Sequence, residues 1–386
     1  MYRVNEAGES LLDLCRKIAT NGVASAAADI DAQARFPESS IQSLADAGLM
    51  GLTLPEVVGG KGQSPGAFAA VVEELAQNCA STAMIYVMHI SATQAIAASS
   101  TLGKRDELLR QIAAGQHLTT LAFSERGSRS QFWAPVSCLT ESAGGGFVAS
   151  AQKSWVTSAN HADSYVSSGQ KPGAESPLES VLYLVDRTAQ GVRVESGFDG
   201  LGLRGNDSSP ITLDQVSVPT DRLLTEPGAG ATMMLEVVLP WFSVGTAAMA
   251  NGLCRAAVTA TSKHLSTARF EHQDSALRDL PNLRARLAQM NLRTEQSRAL
   301  LAHTAAAMEQ PDEQTPLLVL QSRLAAIQAA TDVTDLAMKA CGGAAFSKQL
   351  GVERLFRDAR AGWVMAPTAD HLKEFVGRAL TGLPLF

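Results

Sequence analysis

From Pro37 to Gly48 the apolar positions Ile41, Leu44 and Ala45 recur at helical spacing, and the run closes on a glycine, so a capped helix is expected there. The same period returns over Ala67–Gln77 and Ser81–Ser99, where frequent alanines add helix propensity. Between them, Leu54-Pro-Glu-Val-Val-Gly-Gly-Lys-Gly reads as a turn-rich loop. From Leu118 to about Leu223 the texture changes to short β-branched or apolar runs separated by glycine and polar turns: LTTLAFSE, GFVASAQKSWVTS, SYVSSG, VLYLVD and ITLDQVSVP. Runs of that length and spacing predict an antiparallel sheet domain, with Gln170-Lys-Pro-Gly-Ala-Glu-Ser-Pro as a loop. After Gly228 the long helical period resumes over 231–269, 281–309, 316–340 and 366–379. Pro240 should bend or break the first of these, and Gln310-Pro-Asp-Glu-Gln-Thr-Pro should turn one helix into the next. The chain therefore reads as α+β in three parts: an N-terminal helical domain (1–118), a middle β-domain (119–225) and a C-terminal four-helix bundle (226–386).

Composition narrows the class without naming a function. At 386 residues, with 46% hydrophobic and 18% charged residues, the chain suits a well-buried globular protein of several sub-domains. The net charge of −6, with no basic block, gives no support for a nucleic-acid or membrane-surface partner. The N-terminus lacks a basic segment followed by an apolar run, and the longest apolar stretches carry polar residues too often for a bilayer span. Cys15, Cys79, Cys138, Cys254 and Cys341 are odd in number, scattered and never spaced CxxC. They read as reduced thiols of a cytoplasmic protein, mostly small buried hydrophobes, and argue against a disulfide framework or a metal site.

Six segments, in order, carry a family resemblance. RFPESSIQSLADAGLMGLTLPEVVGGKG (35–62) and VVEELAQNCASTAMIYVMH (71–89) are similar to the N-terminal helices and Pro-Glu-x-x-Gly-Gly-x-Gly loop of acyl-CoA dehydrogenases. LAFSERGSRSQ (121–131) stands where that superfamily has a Thr-Glu-Pro-Gly-Ala-Gly-Ser-Asp segment, and QKSWVTSANHADSY (152–165) resembles its Gln-Lys-x-Trp-Ile-Thr-Asn motif. GLGLRGNDSSPITLDQVSVP (200–219) looks like its Gly-x-Arg strand pair, and GGAAFSKQLGVERLFRDAR (342–360) like its Gly-Gly-x-Gly element with a downstream Arg-Asp-Ala. The resemblance implies FAD bound at a subunit interface of a homotetramer or homodimer. A flavin ring needs a flat wall and a few hydrogen-bond donors. Phe123, Ser124, Trp155, Thr157 and Ser158 are the expected contacts, the last three from alternating sides of one strand. Arg269 of a neighbouring subunit is expected at the pyrophosphate, Gly342 and Gly343 at a close backbone approach, and Thr368 as a further cofactor residue. The sequence departs from the pattern around the adenine end, at His272-Gln273, Pro281 and Lys339.

A larger departure concerns the base. Most of the superfamily removes the substrate α-proton with a glutamate in a Tyr-Glu-Gly-Thr motif after Arg-Asp-Ala; here Ala366 and Pro367 stand in place of Glu-Gly, followed by Thr368. The alternative family position, on an earlier helix, corresponds to Leu239-Pro-Trp-Phe-Ser-Val-Gly and holds no acid either. General-base catalysis contributes ~10²–10⁴ in rate, so its loss bears on the reaction. Candidate replacements are Glu236, one turn before that second position, Asp370, one turn beyond Ala366, and His89. Each has a bland alternative as a solvated carboxylate or a satisfied core histidine. Glu125 reads as structural. Arg126 and Arg129 replace small family residues, and Arg129 with Ser130 is the expected contact for the substrate arm. Two oxidoreductase readings stay open: α,β-dehydrogenation of an acyl-CoA or acyl-carrier thioester with a non-standard base, passing electrons to an electron-transfer flavoprotein, or a flavin-dependent monooxygenase or oxidase that needs no such base and draws on a flavin reductase. A non-redox paralogue is the third reading, and the retained Trp155-Val-Thr weighs against it.

Overall fold

The computed structural model describes residues 2–195 and 197–385. The N-terminal part contains α1 (Glu6–Ile18), α2 (Ala24–Gln33), α3 (Glu38–Asp46), α4 (Pro65–Asn78), α5 (Ala80–Ala98) and α6 (Arg105–Ala113). Ser64 caps α4 with a hydroxyl that accepts from Ala67 N, and Pro65 sits in the first turn, where its missing N–H costs nothing. Helix α5 is buried almost all round, which is why it shows no polar stripe.

The middle part holds two sheets. One is β1 (Thr119–Ala122), β4 (Ser164–Gln170) and β5 (Ser180–Asp186), in spatial order β1-β4-β5. The other is β2 (Thr140–Glu141), β3 (Phe147–Val156), β6 (Val192–Val194) and β7 (Ser209–Val218), in the order β2-β3-β7-β6. All pairs are antiparallel except β1 with β4, whose register runs Thr119↔Ser164 to Ala122↔Ser167 in parallel. The wholly antiparallel sheet expected from the short runs is corrected there. β1 reaches the sheet from helix α6, so no hairpin constrains its direction.

The C-terminal part opens with α7 (Gly230–Met233), a π-turn over Met234–Val238 and then α8 (Leu239–Thr267). Pro240 lies in the first turn of α8, where its missing N–H is tolerated, and the widened turn directly precedes it. The stretch Gly230–Thr267 is long and apolar enough in composition to cross a membrane, contrary to the sequence expectation, but 56% of its most apolar window is buried inside the protein. A hairpin, β8 (Arg269–Phe270) with β9 (Ser275–Ala276), leads to α9 (Pro281–Ala307) and α10 (Thr315–Cys341). Short α11 (Gly343–Phe346), α12 (Val352–Ala359) and α13 (Ala361–Val364) precede α14 (Ala369–Leu380). Helix α10 packs on α8, α9, α12 and α14, and α4 packs on α8, so one apolar core runs through both helical parts. The β-domain keeps a second core of its own around Tyr165, Tyr183 and Val216.

Candidate active site

Where the β-domain meets the helices lies a cavity of about 1350 Å³. One wall comes from the loop after β1, the end of β3 and the segment before β7; the other from the start of α8 and residues 357–366. Pockets for a single drug-sized ligand measure ~300–1,000 Å³, so this one has room for two partners.

The β-side wall stands on a buried ion pair. Lys153 Nζ, from β3, lies 2.6 Å from Glu125 Oε1 and donates to Ser168 O at 2.6 Å. Glu125 Oε2 accepts from Val136 N at 2.6 Å and Ser137 N at 2.7 Å, and Ser137 Oγ donates to Oε1 at 2.5 Å. Burial pushes the Glu125 carboxyl upward, but Lys153 and the Ser137 donors outweigh it and hold the group below its ordinary value. With its oxygens taken up this way, Glu125 organises the loop that carries Ser124, Arg126 and Arg129.

Above this pair the strand is distorted. The β3–β7 register shifts between Lys153 and Val156, and Trp155 has φ +58°. The irregularity buries Val156 and turns Trp155 out, leaving it 68% exposed on the cavity with Phe198 edge-on at 6.4 Å. β3 ends at Val156, so Thr157 and Ser158 sit in the following turn, and the strict side-to-side alternation expected through Ser158 does not hold. Thr157 reaches the cavity, with its Oγ1 3.1 Å from Ser208 Oγ. Ser158 is buried behind the lining, its N–H donating to Asn206 O at 2.9 Å. Asn206 also lines the cavity, and its buried Oδ1 has no hydrogen-bond partner.

The structure brings Phe123, Ser124, Trp155, Thr157, Arg129, Ser130 and Ala366 to one cavity. Arg269, Gly342, Gly343 and Thr368 are not part of its lining. Arg269 is exposed and pairs with Asp274 at 3.0 Å, Gly342 and Gly343 are exposed with open space where a Cβ would point, and Thr368 caps α14 through His371 N. The three alternative bases stand elsewhere too. Glu236 is exposed on the π-turn, and Asp370 is exposed and pairs with Lys373 at 3.0 Å. His89 is fully buried, with Nε2 3.1 Å from Met50 O and Nδ1 accepting from Thr119 N at 3.2 Å. Burial pulls its pKa down to about 4, so it is a neutral interior link between α5 and β1.

The helical wall is apolar: Val238, Leu239, Phe242, Val364, Met365 and Ala366. Among the described lining residues the only carboxylates are Glu125, already engaged, and Glu195, exposed on the β-side. Several residues that shape the cavity went unassigned in the sequence reading. Lys153 sits inside QKSW, where its alternation with buried neighbours was the available signal. Arg357, pairing with Asp31 at 2.6 Å, and Arg360, over the Phe356 ring at 3.8 Å, belong to a motif noted only as Arg-Asp-Ala. Asp358 is buried, accepts from Leu203 N at 2.7 Å and has its pKa pushed up to about 6 by burial.

These features suit FAD. An exposed indole offers a flat face, Asn206 holds an unpaired acceptor, and the volume exceeds what a substrate alone requires. The chain matches the acyl-CoA dehydrogenase N-terminal domain over residues 5–116, the middle domain over 120–216 and the C-terminal domain over 228–381. It is 27% identical over 366 residues to the short-chain specific acyl-CoA dehydrogenase of Bos taurus mitochondria, covering 95% of this chain and 88% of that one. The fold matches butyryl-CoA dehydrogenase from Megasphaera elsdenii with a TM-score of 0.93 at 19% identity, over 99% of this chain and 100% of that one. It matches PigA, solved with FAD and proline, with a TM-score of 0.88 at 17% identity over 99% of each chain. With all three domain models matched in order along one chain, the protein belongs to the acyl-CoA dehydrogenase superfamily of FAD-dependent oxidoreductases.

Proposed function

We propose that the protein is a flavin-dependent monooxygenase of an acyl thioester, whose flavin is reduced by a partner reductase and whose redox step uses no carboxylate base of the protein. The observation that carries this reading is the helical wall. Position 366 is alanine, its neighbours on the cavity are apolar, and Glu236, Asp370 and His89 all lie outside the lining. FAD, when bound, supplies the electron-accepting ring and, once reduced, a reaction partner for O₂. The residues of the chain then bind and orient. Trp155 offers a stacking face, and Ser124 and Thr157 offer hydroxyl donors. Arg126 and Arg129, exposed on the cavity and in no ion pair among the described residues, attract the phosphates of a CoA or carrier arm, with Ser130 beside them. Arg269, Gly342 and Gly343 face outward, so they serve a cofactor only if supplied by a second copy of the chain, as a dimer or tetramer would do. The likeness to PigA, solved with FAD and proline, is compatible with this reading. The 27% identity to a short-chain acyl-CoA dehydrogenase favours a second one, dehydrogenation of the thioester with a base that is not at position 366.

Anaerobic mixing of FAD-loaded protein with a panel of acyl-CoAs decides between them. The proposal expects no bleaching of the oxidised flavin band, followed by O₂ uptake and a new product once an added reductase reduces the flavin. Rapid anaerobic bleaching by any acyl-CoA would establish the dehydrogenase instead.

A further inference from the structure

Thr157, Asn206 and Ser208 all line the cavity, and all three are buried. Asn206 ends a single 3₁₀ turn (Arg204–Asn206) held between two non-glycine residues in the left-handed region, Leu203 at φ +52° and Asp207 at φ +49°. Such a turn persists only where its neighbours over-determine it, and here they do. Leu203 N donates to Asp358 Oδ1 at 2.7 Å, and Asp207 Oδ2 accepts from Asn160 N at 2.7 Å. The backbone carbonyl of Asn206 accepts from Ser158 N at 2.9 Å, which ties Asn206 to the turn directly after Thr157.

Two groups in this cluster are left unmet. Asn206 Oδ1 is buried and has no hydrogen-bond partner among the described residues. Thr157 Oγ1 and Ser208 Oγ lie 3.1 Å apart and share one hydrogen, so the other hydroxyl hydrogen of the pair is free to donate. Buried acceptors in folded proteins are nearly always paired, because an unmet one forfeits its hydration with nothing in return. The cluster therefore offers a ligand one acceptor and one donor. Flavin has an atom that calls for each in turn. In the oxidised ring N5 accepts a hydrogen bond; two electrons and one proton convert it to N5–H, which donates one and needs an acceptor.

We propose that Asn206 Oδ1 is the acceptor for N5–H of reduced FAD, with the Thr157–Ser208 pair donating to N5 in the oxidised state, so that Asn206 raises the reduction potential of the bound flavin. The strained backbone at Leu203 and Asp207 holds the amide in place for this role. A potential raised in this way favours reduction by the partner reductase that the proposed function calls for. The inference rests on the flavin site alone and requires neither a thioester nor a base.

The test is an anaerobic redox titration of the FAD-loaded protein against a dye of known potential, with the affinity of the apoprotein for oxidised FAD measured by fluorescence quenching. Asn206→Leu, which is close to isosteric, should bind oxidised FAD about as well as wild type. It should hold reduced FAD about tenfold less tightly, which lowers the potential by about 30 mV. An unchanged potential, or equal losses of affinity in the two states, overturns the proposal. Wild type alone gives a second test that no folding defect can obscure. In 5-deaza-FAD a carbon replaces N5, so its reduced form carries no N–H donor there. Wild type should bind reduced FAD about tenfold more tightly than reduced 5-deaza-FAD; equal binding of the two overturns the proposal. No acyl-CoA enters either measurement, so failure here leaves the monooxygenase reading standing, and bleaching in the anaerobic mixing experiment leaves this inference standing.

Discussion

The two walls of the cavity solve the problem of a buried cation in opposite ways. On the β-side, Lys153 is buried against Glu125, and the remaining oxygens of that acid are taken up by Val136 and Ser137. On the helical side, Arg323 is as deeply buried and has only two carbonyls and a ring. The first arrangement is a closed network that fixes a loop. The second leaves two guanidinium nitrogens buried without a hydrogen-bond partner among the described residues. A buried charge by itself therefore says little; its partners decide how far it is satisfied.

The sharpest way to break the comparison is to remove the paired cation. Lys153→Met leaves Glu125 buried with its main counter-charge gone, which should cost about 3–5 kcal/mol in a denaturant titration. A stability within 1 kcal/mol of wild type would mean that the pair is not the scaffold its geometry indicates.

A smaller effect separates His89, a neutral group held between α5 and β1, from both cations. Its folded pKa of about 4 lies below the ordinary value of 6.5, so the unfolded chain takes up the proton first. The stability it contributes is present above pH 6.5 and is lost as the pH falls from there towards 4, by about 3 kcal/mol in all. Unfolding measured across that window should show a loss in wild type that flattens in His89→Asn; an equal slope in both would remove histidine from the account.

The smallest effect belongs to the mouth. Arg126 and Arg129 are exposed, so replacing both with alanine should raise KM for an acyl-CoA several-fold at low salt, with kcat little changed and the difference shrinking as salt is added. A loss of kcat without any salt dependence would place these arginines in some role other than attraction of an anionic arm.

The organisation of the chain was legible because it depends on local rules. Helical period, glycine caps and short β-branched runs mark α3, α4, α5, β3, β5 and β7 within a few residues, and Pro240 announced the irregular turn before α8. The parallel pairing of β1 with β4 was not legible, since strand direction is set by which neighbour a segment meets after a long connection. Trp155 was identified as a wall residue from its motif, but its outward turn depends on a local irregularity opposite β7 that no alternation pattern contains. That residue 366 is alanine could be read directly from the sequence.

The setting of Arg323 could not. Arg323 stands in LVLQSRLAAIQAA, a lone cation in an apolar helix, and its sequence neighbours give no sign of Phe242, Met365 or Ala366. By itself, then, the sequence determined the three-part α+β organisation, the motifs that carry the family resemblance and the alanine at position 366. Only the tertiary structure decided that Glu125 is spoken for, that Glu236, Asp370 and His89 lie off the cavity, and that a cation stands behind the alanine. The physical reason is range: helix and strand periods act over a few residues, whereas a buried charge is defined by groups that folding brings together from more than 40 or 80 positions away along the chain.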